Sequence, residues 1–381
     1  MKMNKKRICR VCVWAFLVIL LLLAVTDVLT CNDLVSHTTI EGLEVEEKDS
    51  LDTVVIGASE VFSGYCATEA YQEYGYTSYT LGLSGAGYKV YKILLAETLR
   101  RQKNIQAVAF EINGFVHKDE YSTKEGKLRN VIDNLPWSMN RLQAIHENID
   151  QENRMNFYFP IAAYHDKIFH TKEVARHLRN RIRTAKAGVS YLKGFSTYSY
   201  IHDMDQIKTD EDAYFTDASR QHLIDLLDYC KEQGLEHVLF YRSPRGSISK
   251  NHEVYDEIRE IVKSYGYDYM DYASQMDAIG IDIHHDFYNR DHMNLYGMRK
   301  FTHILGSYFV NQCGITINHS DAQKASWQEC VDKTEEILAE CEQDMADHKV
   351  KHYRESAVYV KPAAFKNPAK ELGIRKENFK W

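Results

Sequence analysis

Between residues 51 and 310 the chain alternates short apolar runs with longer amphipathic stretches. Residues 52–57 (DTVVIG) form an apolar run closed by glycine, and a helical pattern follows to about Tyr74. A second strand at 78–83, a helix at 87–101 and a third strand at 107–112 (AVAFEI) repeat the unit. Further along, 217–233 is helical with Gly234 closing it, 237–241 is a fourth strand, 253–264 a helix and 267–271 a fifth strand. Repeated strand–helix units of this length predict an α/β domain over about 51–312, with a five-stranded, mostly parallel sheet covered by helices on both faces.

Three segments depart from that rhythm. About 100 residues, roughly 115–215, separate the third strand from the helix at 217, too many for a bare loop in a compact domain, so they predict a mostly helical insertion. Its stretch 172–186 (KEVARHLRNRIRTAK) carries Arg176, Arg179, Arg181 and Arg183, which fit either a solvated helix face or a contact with an anionic polymer. After residue 313 a helical extension is predicted. Ser320 and Gln323 form a capping-box pair, and Trp327, Val331, Thr334, Leu338, Cys341 and Met345 repeat at alternating four and three spacing, as expected of a stripe packed on a core. The tail at 352–381 shows no pattern. Residues 31–50 are polar and acidic without an apolar period and read as a short stalk.

The N-terminus changes the picture most. Residues 11–30 (VCVWAFLVILLLLAVTDVLT) hold Asp27 as their only charge and are long enough to cross roughly 30 Å of hydrocarbon. Lys2, Lys5, Lys6, Arg7 and Arg10 precede the run and Asp33, Glu41, Glu44, Glu46 and Glu47 follow it. That bias predicts a cytoplasmic N-terminus, a single-pass signal anchor in the cell membrane and an extracytoplasmic body. A cleaved signal peptide is the competing reading, because Ala24 and Thr26 are small residues at cleavage-site spacing. A net charge of −7 gives no reason to expect nucleic-acid binding. Of the eight cysteines, Cys9 and Cys12 fall on the cytoplasmic edge. Cys330 and Cys341 share one predicted helix about 16 Å apart by rise and cannot pair. No disulfide framework emerges, Cys31 lacks a lipobox before it, and buried free thiols are the expectation.

Candidate chemistry concentrates at two places. In Gly57-Ala58-Ser59-Glu60 a serine stands after an apolar strand and before a helix, at the edge of a parallel sheet where open α/β folds bind ligands. Alone, such a serine is commonly a turn or helix cap. Near the other end of the fold, His292 lies in Asp286-Phe-Tyr-Asn-Arg-Asp-His292-Met-Asn-Leu-Tyr-Gly297, after the last strand and before an apolar helix. A histidine on such a loop can reach Ser59, take its proton on attack and return it to a leaving group. His284, His285, Asp286, Asp291 and His292 are dense enough to pose a metal site as an alternative, although no H-x-x-x-H or H-E-x-x-H spacing supports one, and no metal or cofactor is expected.

These pieces together resemble the SGNH or GDSL hydrolase superfamily, and within it the DltD-like branch of membrane-anchored proteins. Gly57-Ala-Ser59-Glu is similar to the first block with its nucleophile, Leu81-Gly-Leu-Ser-Gly85-Ala-Gly to the second, Glu111-Ile-Asn113-Gly to the third and Asp291-His292-Met-Asn, with Gly297 behind it, to the last. The resemblance implies a flavodoxin-like three-layer fold, with Ser59 as nucleophile and His292 as base. It also implies an oxyanion hole from the amides of Ser59 and Gly85 and the side chain of Asn113. The superfamily's acid stands three residues before its histidine, where this chain has Asn289. Asp291 is the preferred replacement, with Asn289 itself, accepting the imidazole N–H through its carbonyl oxygen, and Asp286 as alternatives. The expected activity is that of a serine esterase or O-acyltransferase, and the outward topology supplies the substrate class, acyl esters of a cell-surface polysaccharide or teichoic-acid-like polymer, since such polymers lie on that side. A membrane-bound O-acyltransferase is the implied partner. A noncatalytic scaffold of the same fold and a metal-dependent hydrolase are the rival readings.

Overall fold

The computed structural model describes residues 5–30 and 33–380. Helix α1 (Lys5–Leu29) is the apolar N-terminal segment, and its stretch Lys6–Leu29 is long and apolar enough to cross a membrane. Cys31, expected to be unmodified, lies outside the described residues.

The segment expected to be a polar stalk is instead α2 (Leu34–Val45), capped by the Asp33 carboxylate on the Ser36 amide and buried along most of its length. Its polar residues misled the periodicity because they are satisfied inside the protein. Thr38 donates to the Leu34 carbonyl, and His37 meets the Asn134 side chain at 2.9 Å.

Five strands form one sheet: β1 (Thr53–Gly57), β2 (Ser78–Gly82), β3 (Ala107–Glu111), β4 (His237–Arg242) and β5 (Asp268–Asp271). They lie in the order β2-β1-β3-β4-β5, and every pair is parallel, from Thr53 opposite Ser78 to Leu239 opposite Asp268. The runs VVI, AVAF and VLFY are apolar throughout rather than alternating because both faces of the central strands are covered.

Two groups of helices supply the cover. One contains α3 (Ser59–Gly64), α4 (Ala67–Tyr74) and, from the far end of the chain, Leu295–Asn311 and Asp321–Ala346. The other is built on α5 (Tyr91–Arg101) with Met139–Asn148 and Asp217–Glu232. Gly82 lets the first group approach, since a β-carbon there would stand 2.4 Å from the Phe62 amide nitrogen.

The insertion is mostly helical as expected, with α6 (Thr171–Ala187) its last helix, and it closes with two short strands, Thr197–Tyr198 and Lys208–Glu211. The capping box of Ser320 and Gln323 is formed, and the predicted stripe from Trp327 to Met345 is buried. Cys66, Cys230, Cys313, Cys330 and Cys341 are buried free thiols. The unpatterned tail folds back on the body. Leu372 joins a small core with Tyr200, Tyr288 and Val350, and Phe379 stacks on Tyr200.

Candidate active site

Each of the first four strands delivers a candidate site residue just beyond its carboxyl end: Ser59 after β1, Gly85 with its backbone amide after β2, Asn113 after β3 and Arg245 after β4. Parallel pairing aligns these ends, so residues far apart in sequence are brought to one edge. Ser59, Asn113, Arg245, His117 and Tyr121 line a cleft of about 420 Å³ there, together with Glu60, Asp291 and His292.

Ser59 is the first residue of α3, and its Oγ lies 2.7 Å from His292 Nε2. The other ring nitrogen, Nδ1, lies 2.8 Å from Asn289 Oδ1. The orientation of the Asn289 amide follows from its neighbours. Its Nδ2 donates to the Leu372 carbonyl at 3.0 Å, and its Oδ1 also accepts from the Asp291 amide at 3.0 Å. With the oxygen thus facing the imidazole, His292 Nδ1 must carry the proton and Nε2 is left to accept from Ser59. The ring lies parallel to Phe62 on one contact and to Tyr288 on another, with centroids 6.3 and 5.3 Å away. Burial pushes its pKa below the usual 6.5, against an upward pull from Glu60 and Asp291, so the imidazole is held neutral near pH 7.

The preferred acid is therefore corrected. Asp291 does not meet Nδ1; it takes Arg245 Nη2 at 2.6 Å and Ser247 Oγ at 3.2 Å. An aspartate directly before the histidine emerges on the other side of the loop, whereas three residues of spacing return Asn289 to the ring. Burial opposes the Asp291 charge, but Arg245 and His292 outweigh it and hold its pKa below the ordinary value. Asp286 is fully buried among the Asp282 amide, Lys300 and His285, and serves the fold of the loop. His284 pairs with Asp203, and among the described residues no group of three or more His, Cys, Asp or Glu could hold a metal ion.

Asn113 reaches the cleft, but its amide is partly committed. Nδ2 donates to Glu60 Oε1 at 2.6 Å and Oδ1 accepts from Arg245 Nη1 at 2.9 Å. These two partners fix the flip of the amide and leave its second N–H without an acceptor among the described residues. Gly85 sits at φ +64°, a left-handed conformation that glycine adopts without strain, and a β-carbon there would come within 3.2 Å of the Tyr121 hydroxyl.

Sequence reasoning missed Glu60, Arg245 and the insertion's side of the cleft. Glu60 is 4% exposed, with Oε2 3.4 Å from Ser59 Oγ. Below it Glu111 is fully buried and accepts from the Asn113 amide at 2.9 Å, and burial followed by the Glu60 charge pushes its pKa well up. His117 is pushed down to about 4 by burial and by Arg245, and Lys127, beside Gly85, down to about 8 by burial and by Lys124. A glutamate next to the serine was visible in Gly57-Ala58-Ser59-Glu60, but nothing in the sequence placed Arg245 opposite Asn113.

The sheet and this edge define an α/β protein with a serine, a neutral histidine and an asparagine in one hydrogen-bonded row at the carboxyl ends of its strands. No protein-family model, curated protein or solved structure matches the chain.

Proposed function

We propose that this chain is an SGNH-type serine esterase or O-acyltransferase, acting through an acyl-Ser59 intermediate on acyl esters of a cell-surface polysaccharide or teichoic-acid-like polymer. The observation that carries the reading is the 2.7 Å approach of Ser59 Oγ to a histidine whose tautomer is set for proton acceptance. In the proposed reaction Oγ attacks the acyl carbonyl while its proton passes to His292 Nε2. The imidazolium returns that proton to the departing alkoxide, leaving the acyl group on Ser59. Water or a sugar hydroxyl then attacks with His292 again taking the proton, so the same residues serve hydrolysis and transfer.

The oxyanion would lie against the Ser59 and Gly85 amides and the spare N–H of Asn113, and one such donor contributes about 2.7 to 4 kcal/mol. Asn289 brings no charge to the imidazolium. Glu60 and Asp291 supply it through space, since both raise the His292 pKa. Tautomer and charge, which one aspartate provides in the usual triad, are divided here among three side chains.

The proposed place of work is outside the cell, with α1 as membrane anchor and a membrane-bound O-acyltransferase as partner, because polymers bearing O-acyl groups lie on that side. Glu60 favours a second reading, a noncatalytic polymer-binding scaffold, because a carboxylate on Asn113 and near Ser59 repels a developing oxyanion. A fluorophosphonate probe separates the two. Esterase chemistry predicts a covalent adduct lost in Ser59→Ala, and a folded protein without any Ser59-dependent adduct supports the scaffold.

A further inference from the structure

Helix α6 has three distinct sides. His177, Asn180 and Thr184 are buried against the body. Lys172, Arg176, Arg179, Arg183 and Lys186 fall on one flank at three- and four-residue spacing, and Leu178, Ile182 and Ala185 on the adjoining flank. Leu178 and Ile182 are exposed, at 37% and 46%. An exposed apolar stripe beside an exposed cationic stripe is the pattern of a helix lying in a membrane interface rather than of an ordinary solvated helix.

The rest of the molecule sets this helix beside the carboxyl end of α1. Arg181 Nη1 binds Asp27 Oδ2 at 2.7 Å and its Nε pairs with Glu41, so it is a structural tie to the last turn of α1 rather than part of a free cationic face. Thr26, Leu29 and Thr30 are buried against the body, whereas α1 before Thr26 is exposed throughout its apolar length. The segment preceding α6, His165–Phe169, also packs against α1, with Ile168 59% and Phe169 84% exposed. Single exposed apolar residues are ordinary, but here they are gathered where the chain leaves its apolar helix.

Behind the cationic flank, between α6 and the C-terminal segment, is a cavity of about 640 Å³ lined by Lys172, Arg176, Arg179, Arg183, Arg354 and Lys361. Lys361 pairs with Glu340. Among the described residues none of the four arginines has a carboxylate within ion-pair distance, and Arg354 is held only against the His352 ring nitrogen at 3.3 Å.

We propose that α6 and the turn before it form an interfacial platform on the bilayer that carries α1. The Ile168, Phe169, Leu178 and Ile182 side chains enter the acyl boundary, and the Arg176–Arg179–Arg183 flank and its cavity take the phosphate headgroups of anionic lipids. The proposal rests on the membrane reading of α1 and is independent of Ser59 chemistry. Its consequence is orientation: α1, tied to the body at its last turn, leaves the tilt of the whole against the membrane open, whereas a body also held along α6 presents its cleft at a fixed height and angle above the membrane.

The test uses the full chain in lipid nanodiscs of phosphatidylcholine alone or with phosphatidylglycerol added, read by hydrogen exchange over residues 171–187 and by quenching of a Phe169→Trp variant with brominated lipid. The expected result is quenching beyond that of the parent chain, with exchange slowed about tenfold more when phosphatidylglycerol is present. The Arg176→Gln/Arg179→Gln/Arg183→Gln variant should lose that difference while keeping quenching and fluorophosphonate labelling. Equal exchange in both discs, or no added quenching, overturns the proposal. So does protection of α6 in detergent by inorganic phosphate, which would make the cavity a free-phosphate site, or by soluble poly(glycerol phosphate), which would make it a polymer site. Loss of fluorophosphonate labelling in wild type would sink the esterase reading and leave this one standing.

Discussion

The two halves of the candidate site are built by different means. The Ser59 half is made of strand ends: Ser59, Gly85, Asn113 and Arg245 stand where they do because four parallel strands are in register and their apolar runs are packed on both faces. The His292 half is a loop with almost no regular structure. It is held by the bridge of Phe287 to Met293, by the Tyr288 amide on the His292 carbonyl and the Asn294 amide on the Asp286 carbonyl, by Asn294 Nδ2 on the His285 and Phe287 carbonyls, and by Asn289 on Leu372, 83 residues later. Ser59 takes its position from the sheet, whereas His292 takes its position from a short main-chain bridge, from side-chain to backbone bonds and from the C-terminal tail. Changes to the base half should therefore alter chemistry without unfolding the domain.

The largest effect expected in that half is His292→Gln, which should reduce fluorophosphonate labelling by at least about 1,000-fold with little change in thermal melting. Wild-type labelling should rise with pH and level off, with its midpoint below 6.5, because burial depresses the imidazole pKa and the neutral form is the reactive one. A midpoint above 6.5 would mean that Glu60 and Asp291 dominate over burial.

Asn289→Ala comes next. It removes the acceptor that fixes Nδ1–H, leaving both tautomers open and the ring free to turn, and a loss of about 100-fold is expected at unchanged stability. The comparison can then be broken from a distance. Deleting residues 368–381 removes the Leu372 carbonyl without changing a residue of the loop, and it also loosens Tyr288, which shares a core with Leu372 and lies parallel to His292. Labelling should fall roughly tenfold. A truncated chain that melts as wild type and labels as fast would show that the loop holds Asn289 unaided.

These dependencies explain what the sequence could and could not disclose. Apolar runs such as the one closed by Gly57 made the strands readable, and the serine after it was readable as a consequence. His292 was found because an apolar helix follows it. Its partner was misread because the choice between Asn289 and Asp291 depends on which way two side chains leave an irregular loop, and no periodicity governs that. The tail looked featureless because what it gives Asn289 is a main-chain carbonyl, which any residue at position 372 would supply, and because its core contacts through Leu372 and Phe379 follow no period. Residues 33–45 were misread for a related reason, since polar side chains satisfied by local backbone bonds hide a buried helix behind a hydrophilic pattern.

Asp291→Asn should give the smallest effect and the most informative one. Asp291 touches neither Ser59 nor the imidazole by hydrogen bond; it holds Arg245, which holds Asn113, and its charge raises the His292 pKa. Replacing it by the isosteric amide keeps a partner for Arg245 but removes the charge, and Arg245, less neutralised, pushes the imidazole pKa further down. The labelling midpoint should therefore shift to lower pH, while the plateau rate falls about three- to tenfold because the imidazolium formed on attack is less stabilised. A plateau loss equal to that of Asn289→Ala would mean that the division of labour is wrong and that Asp291 serves as the acid of a conventional triad once substrate binds. A shift of the midpoint to higher pH would remove the electrostatic role assigned to it. If the midpoint falls and the plateau loss stays small, tautomer control lies with Asn289 and charge with its neighbours. The loop half of the site would then have achieved with three residues what the strand-end half achieves by register alone.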